Sequence, residues 1–121
     1  MGEMPVPADA LYGASTQRAV LNFPVSGRSV PTEVIEAFAE LKRACAGVNG
    51  ELGVIPKKVA RSVVTACDTL QAGLRGEGDR PADWWEGQVP VDVFQTGSGT
   101  STNMIVNEVL SNLSALAAVR L

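Results

Sequence analysis

Apolar residues fall into three long stretches with a helical period, separated by polar breaks rich in glycine and proline. In the first stretch, Val34, Phe38, Leu41, Cys45 and Val48 recur at alternating steps of four and three. That spacing predicts a helix over about 31–48 with these side chains turned to a core. Pro31 suits its first turn, and Glu33 and Glu36 suit the positive end of its dipole. Asn49 and Gly50 are stop signals. In the second stretch, Val59, Val63, Cys67, Leu70 and Leu74 predict a helix over about 56–74, closed by Gly76.

The third stretch predicts a helix over about 101–119. On a helical wheel, Ile105, Val106, Val109, Leu110, Leu113, Leu116 and Ala117 fill one arc. Asn103, Asn107, Ser111 and Ser114 fill the neighbouring arc. From Val93 to Val119 the only charged residue is Glu108. A solvent-facing helix carries more charge, so this one is expected to be buried on most sides. Its uncharged polar face would meet other protein or a ligand. Residues 1–30 read as an irregular arm, broken by Pro5, Pro7, Gly13, Pro24 and Gly27, with a short helical turn over about Ser15–Asn22. Residues 76–90 read as a polar loop, with Trp84 and Trp85 as aromatic anchors pinning it to the core. "VDVF" is too short to read as a strand. The fold class expected is mainly α: an arm (1–30), a helical pair (31–75), a loop (76–95) and a turn leading into a long helix (96–121), all in one domain.

Composition narrows the function. A chain of 121 residues with 45% apolar and 19% charged residues is globular. Its net charge of −3 argues against nucleic acid as a partner. The cluster Lys57, Lys58 and Arg61 reads as a solvated helix start. No secretory signal is evident at the N-terminus, Val6 breaks a myristoylation pattern after Gly2, and no run of about 18 apolar residues exists. No membrane association is expected. Cys45 and Cys67 both fall on apolar stripes and read as reduced core residues, which favours a cytoplasmic setting. There is no histidine, the commonest proton shuttle near neutral pH. No metal and no cofactor are expected.

The segment "QTGSGTSTNMIVNE", residues 95–108, carries the candidate chemistry. Gly97 and Gly99 bracket Ser98 just before the third helix. Glycines let backbone N–H groups approach a ligand, and the first N–H groups of a helix lack internal partners at its positive end. Thr96, Ser98, Thr100 and Ser101 add hydroxyl donors. Such a site suits an anion such as a carboxylate, held without a fixed charge. The same residues also fit a flexible linker followed by an ordinary Ser/Thr helix cap. A phosphate-binding P-loop is excluded for want of a lysine, and a dinucleotide fingerprint by Thr102 in place of a third glycine. A nucleophile elbow fails because Gly97-Ser98-Gly99 is one residue short on each side.

Several separated motifs resemble class II fumarases, in the fumarase/aspartase superfamily. "QTGSGTSTNMIVNEV" is similar to the family's first signature region, "GEMPVPADALYGASTQRAVLNFPVSG" to its N-terminal arm, and "LKRACAGVNGELG" to its first long helix. "VPVDVFQTGSGTSTNM" is similar to the segment entering its active site. Aspartase-like sequences carry smaller residues at the signature, so Thr96 and Ser98 favour fumarase. The resemblance implies the N-terminal domain of an all-α lyase and a metal-free, reversible hydration of fumarate to L-malate in the tricarboxylic acid cycle. It implies that Ser98, Gly99 and Thr100 contact a substrate carboxylate, with Thr96 and Asn103 in support. It also implies a homotetramer whose active sites draw on three subunits. The family's proton-transfer and remaining substrate-holding residues come later in sequence, so no catalytic residue is expected in this chain, and no activity from it alone. A truncated product is one expectation. A non-catalytic assembly module, or a piece of an aspartate ammonia-lyase-type enzyme, are the alternatives. Ile105 departs from the family's asparagine at that place, and an exposed apolar face on the third helix is expected to promote self-association.

Overall fold

A computed structural model describes residues 2–119. Its elements are α1 (Ala14–Asn22), α2 (Thr32–Glu51), α3 (Lys57–Leu74), α4 (Ala82–Glu86) and α5 (Thr100–Val119). The architecture is mainly α, and the one β-type pairing among the described residues is an isolated bridge between Ser29 and Asp92. "VDVF" therefore forms no strand. Instead Val89 and Val91 bury their side chains in the core while Asp92 pairs with the end of the arm.

α2 and α3 form an antiparallel hairpin, the largest helix–helix contact. The turn between them uses Gly53 at φ +74°, a conformation that favours glycine. The face of α2 that meets the core is made of Ile35, Ala39, Ala46 and Gly50. Gly50 is needed there, because a Cβ on it would stand 2.6 Å from the Cβ of Ala60 on α3. The stripe expected from the sequence is rotated off this face. Val34, Leu41 and Val48 are exposed, Phe38 is half-buried, and Cys45 is an exposed thiol rather than a core residue. Small residues won the core position because they let two helix backbones come close, which larger aliphatics prevent.

α3 follows its expected stripe more closely. Cys67, Leu70 and Leu74 are buried, Val63 packs partly, and Val59 is exposed. Burial pushes the Cys67 thiol up to about 11, so it stays protonated and inert. The loop after α3 carries the short α4, and its tryptophans do anchor it. Trp85 is buried, and Trp84 meets it edge-on with ring centroids 5.1 Å apart. Trp85 lies so tightly on Gly73 of α3 that a Cβ at Gly73 would collide with the indole.

α5 crosses this layer. Thr102, Ile105, Val106, Val109 and Leu110 are buried, in contact with α1, α2 and α3. Ile105 is 1% exposed and sits in the middle of the core cluster, so the apolar residue at that position is packed. Beyond Leu110 the helix emerges. Leu116 and Val119 are exposed, so α5 is buried over its first half only, less than its lack of charge suggests. Among the described residues, no helix is long and apolar enough to cross a membrane.

The arm lies along α5 and is tied to it by polar groups. Glu108 accepts bonds from the backbone N–H of Gly13 (2.9 Å), Ser15 (3.0 Å) and Thr16 (3.1 Å), and from the Thr16 hydroxyl (2.6 Å). The lone charge of α5 thus caps the N-terminus of α1, where free N–H groups and the dipole favour a carboxylate. Gly13 permits this approach, since a Cβ there would stand 3.1 Å from the Glu108 carboxyl carbon. Asn112 donates to the Leu11 carbonyl at 2.6 Å, and Leu11 N–H donates to the Gln88 side chain at 2.7 Å.

Candidate functional site

The segment leading to α5 is fixed at its base by Asp92. Its carboxylate accepts from the backbone N–H of Phe94 (2.8 Å), Ser26 (2.7 Å) and Gly27 (2.9 Å), and from the Ser26 hydroxyl (3.0 Å). The Phe94 N–H is the main cause that holds the Asp92 carboxyl down at about 2; burial opposes it, and the Ser26 and Gly27 bonds add to it. Gln95 is the next anchor. Its amide nitrogen donates to the buried Thr102 hydroxyl at 3.0 Å, and its oxygen accepts from Thr96 N–H at 3.1 Å. One side chain thereby clips the start of the turn to the first turn of the helix.

Between those two points the chain makes a tight turn. Gly99 N–H donates to the Thr96 carbonyl at 3.3 Å, and Gly99 adopts φ +72° directly before Thr100 opens α5. Only glycine takes that conformation without steric cost, which explains the residue. The turn brings Thr96, Ser98 and Thr100 together as a chain of hydroxyls. Thr96 and Ser98 oxygens are 3.2 Å apart, and Ser98 and Thr100 oxygens 3.0 Å apart. All three residues are exposed, and an added Cβ at Gly97 or Gly99 would meet nothing within 4 Å. A hydroxyl can rotate to donate outward, and the opening N–H groups of α5 have no helical partner, so the cluster can offer several neutral donors to one oxyanion.

Asn103 lies one turn further on. Its N–H closes the first helical bond of α5 to the Gly99 carbonyl at 3.1 Å. Its side-chain oxygen accepts from Lys42 Nζ of α2 at 2.6 Å. Lys42 was invisible in the sequence, where it sits in "LKRA" 61 residues away. It brings a fixed positive charge to the first turn of α5, so the surroundings of the turn are less neutral than its own residues. Gln95 and Thr102 were likewise missed. Glu108 did carry a signal, as the single charge in the 27 residues from Val93 to Val119, and it serves the arm rather than the turn.

The turn is not enclosed. A groove of about 800 Å³ lies between the arm, α3, α4 and the emerging end of α5. A smaller hollow of about 260 Å³ lies beside Gly13, Asn107, Glu108 and Ser111. Thr96, Ser98, Gly99, Thr100 and Asn103 line neither. The predicted site residues form one open wall.

A family model described as Lyase matches residues 2–120. This chain belongs to that lyase family. A class II fumarate hydratase from Xylella fastidiosa is 46% identical over 117 residues, which cover 97% of this chain and 23% of the relative. The class II fumarate hydratase of Mycobacterium tuberculosis is 45% identical over 121 residues, covering 100% of this chain and 23% of its own length. Among solved structures, a fumarate lyase:delta crystallin from Brucella melitensis superimposes with a TM-score of 0.83 and 37% identity, over 97% of this chain and 24% of that one. The chain thus spans under a quarter of the length of these lyase relatives. The helical architecture described above is the one shared with them.

Proposed function

We propose that this chain is the N-terminal domain of a class II fumarate hydratase, and that its turn at 96–100 holds one carboxylate of a small dicarboxylic acid. The observation that carries this is the chain of hydroxyls Thr96, Ser98 and Thr100, set by Gly99 at the opening of α5. Hydration of fumarate to malate, or its reverse, places negative charge on the carboxylate next to the reacting carbon. Donors preorganised around that group stabilise the transition state more than the ground state. Ser98, Gly99 and Thr100 contact the carboxylate, Thr96 supports Ser98, and Asn103, oriented by Lys42, supports the first turn of α5. The other walls of the site, and the groups that move protons, belong to sequence outside these 121 residues. The whole enzyme is a homotetramer acting in the tricarboxylic acid cycle, in a reducing compartment that suits the exposed Cys45 thiol, the cytoplasm.

The test is a chimera in which this chain replaces the matching 117 residues of the Xylella fastidiosa relative. The chimera is expected to hydrate fumarate, followed by loss of fumarate absorbance. Ser98→Ala in it is expected to lower kcat/KM by about 10²–10³, the usual effect of removing one such donor. The 121-residue chain alone is expected to give no conversion. A chimera that folds and turns over fumarate with Ser98→Ala as fast as without it contradicts the proposal.

A further inference from the structure

Lys42 and Asn103 meet between α2 and α5 at the edge of the turn. Lys42 Nζ donates to the Asn103 side-chain oxygen at 2.6 Å, a short charge-assisted bond between half-buried residues. An ammonium has three donors and no acceptor, so this contact decides which end of the amide faces it. The oxygen turns to Lys42, and the nitrogen, with its two N–H groups, points away. Among the described residues that nitrogen donates to no protein group, and it is not fully buried.

Asn103 is placed to use those donors. It stands three residues after Thr100 and four after Gly99, so it shares their face of α5. Cα–Cβ bonds in a helix tilt toward its N-terminus, which carries the Asn103 side chain back over the first turn. Lys42 adds charge to the same place. The ion pairs among the described residues are Arg43–Asp68 and Arg75–Glu36, and Lys42 is in neither. Glu40, two residues away on α2, accepts from Gln71 of α3 instead. Held by a neutral amide, the ammonium keeps its full charge to attract an anion at the turn.

We infer that the Asn103 side chain donates to the bound carboxylate and that Lys42 is its positioning residue, locking the amide with its nitrogen toward the turn. This rests on the dicarboxylate reading above and deepens it. An amide left unheld can rotate by half a turn and present its oxygen, which repels a carboxylate. Lys42 removes that choice by holding the oxygen from behind. A purely structural tie between α2 and α5 has no use for a donor at the nitrogen, and Asn103→Asp separates the two roles. The variant keeps the oxygen that meets Lys42, and the bond becomes an ion pair, but the donor is replaced by a second acceptor.

Fumarate titration of the 121-residue chain, followed by side-chain and backbone amide resonances, tests it. The Asn103 side-chain protons are expected to move along the same saturating curve as the Ser98 backbone amide. Asn103→Asp is expected to keep the wild-type thermal midpoint yet weaken fumarate binding about tenfold or more, the loss of one hydrogen bond to a charged group. Lys42→Met is expected to shift the Asn103 side-chain resonances before any fumarate is added, and to weaken binding by a similar factor. Lys42→Arg, which also offers donors alone, is expected to recover most of that loss. Lys42→Met/Asn103→Ala should lose no more than the larger of its two single changes, because the residues act as one unit. The inference is overturned by Asn103→Asp binding fumarate as tightly as the wild type, or by additive losses in the double variant. It is equally overturned if Lys42→Met weakens binding while the Asn103 resonances stay where they were. If the wild-type amides of Ser98, Gly99 and Thr100 ignore fumarate, the dicarboxylate reading itself fails, and this inference with it.

Discussion

The arm and the turn are both irregular, glycine-bearing segments laid at α5, yet they bond in opposite ways. The arm is held by partners 65 to 101 residues distant: Gln88, Asp92, Glu108 and Asn112. Its polar groups are spent on the fold. The turn bonds almost entirely to itself, over separations of one to seven residues, and leaves three hydroxyls exposed. A segment built for stability directs its donors inward to a buried or half-buried acceptor. A segment built for recognition keeps its shape by short-range bonds and leaves its donors for a ligand. Mutations in the two should therefore separate stability from binding.

The largest effect is expected from Glu108→Ala. It leaves the N–H groups of Gly13, Ser15 and Thr16 without their acceptor at a partly buried site. A loss on the order of 2–4 kcal/mol is expected in urea denaturation, with faster amide exchange confined to the start of α1. Next comes Gly99→Ala, which forces a Cβ into φ +72° and should cost about 1–2 kcal/mol.

Acidification probes the arm by a third route. For Glu108, burial raises the pKa, but the Thr16 hydroxyl and the N–H groups of Gly13, Thr16 and Ser15 together outweigh it, so the carboxyl lies below its ordinary 4.5. A folded-state pKa lower than the unfolded one stabilises the fold above pH 4.5. That contribution is lost as pH falls through the lowered value. Asp92 behaves likewise between 3.8 and about 2. Stability followed from pH 5 to 2 should fall in the wild type and fall less in Glu108→Gln. Ser98→Ala should have the smallest effect on stability, within about 0.5 kcal/mol, because the hydroxyl is exposed and bonds only to its neighbours.

Much of the helical fold was readable because its periodic stretches are long. The start and end of α3, the start of α5, the α1 segment and the anchoring role of Trp85 all follow from period, caps and aromatic placement. The face of α2 did not. Hydrophobicity ranks Val34, Leu41 and Val48 above Ala39, Ala46 and Gly50, whereas close helix packing selects the smaller set. Cys45 was misplaced with that stripe. At the turn, the glycines and hydroxyls were legible as local chemistry, since their bonds span few residues. Lys42, which reaches Asn103, and Glu108, which reaches Gly13, depend on tertiary placement that no local pattern encodes.

The most direct measurement is a titration of the isotope-labelled chain with fumarate, followed through its amide resonances. The account predicts that Ser98, Gly99, Thr100 and Asn103 shift together along one saturating curve, while Gly13, Ser15 and Thr16 stay still, and that Ser98→Ala abolishes the shifts. Shifts confined to the arm, or an unchanged turn spectrum at saturating dicarboxylate, would contradict it.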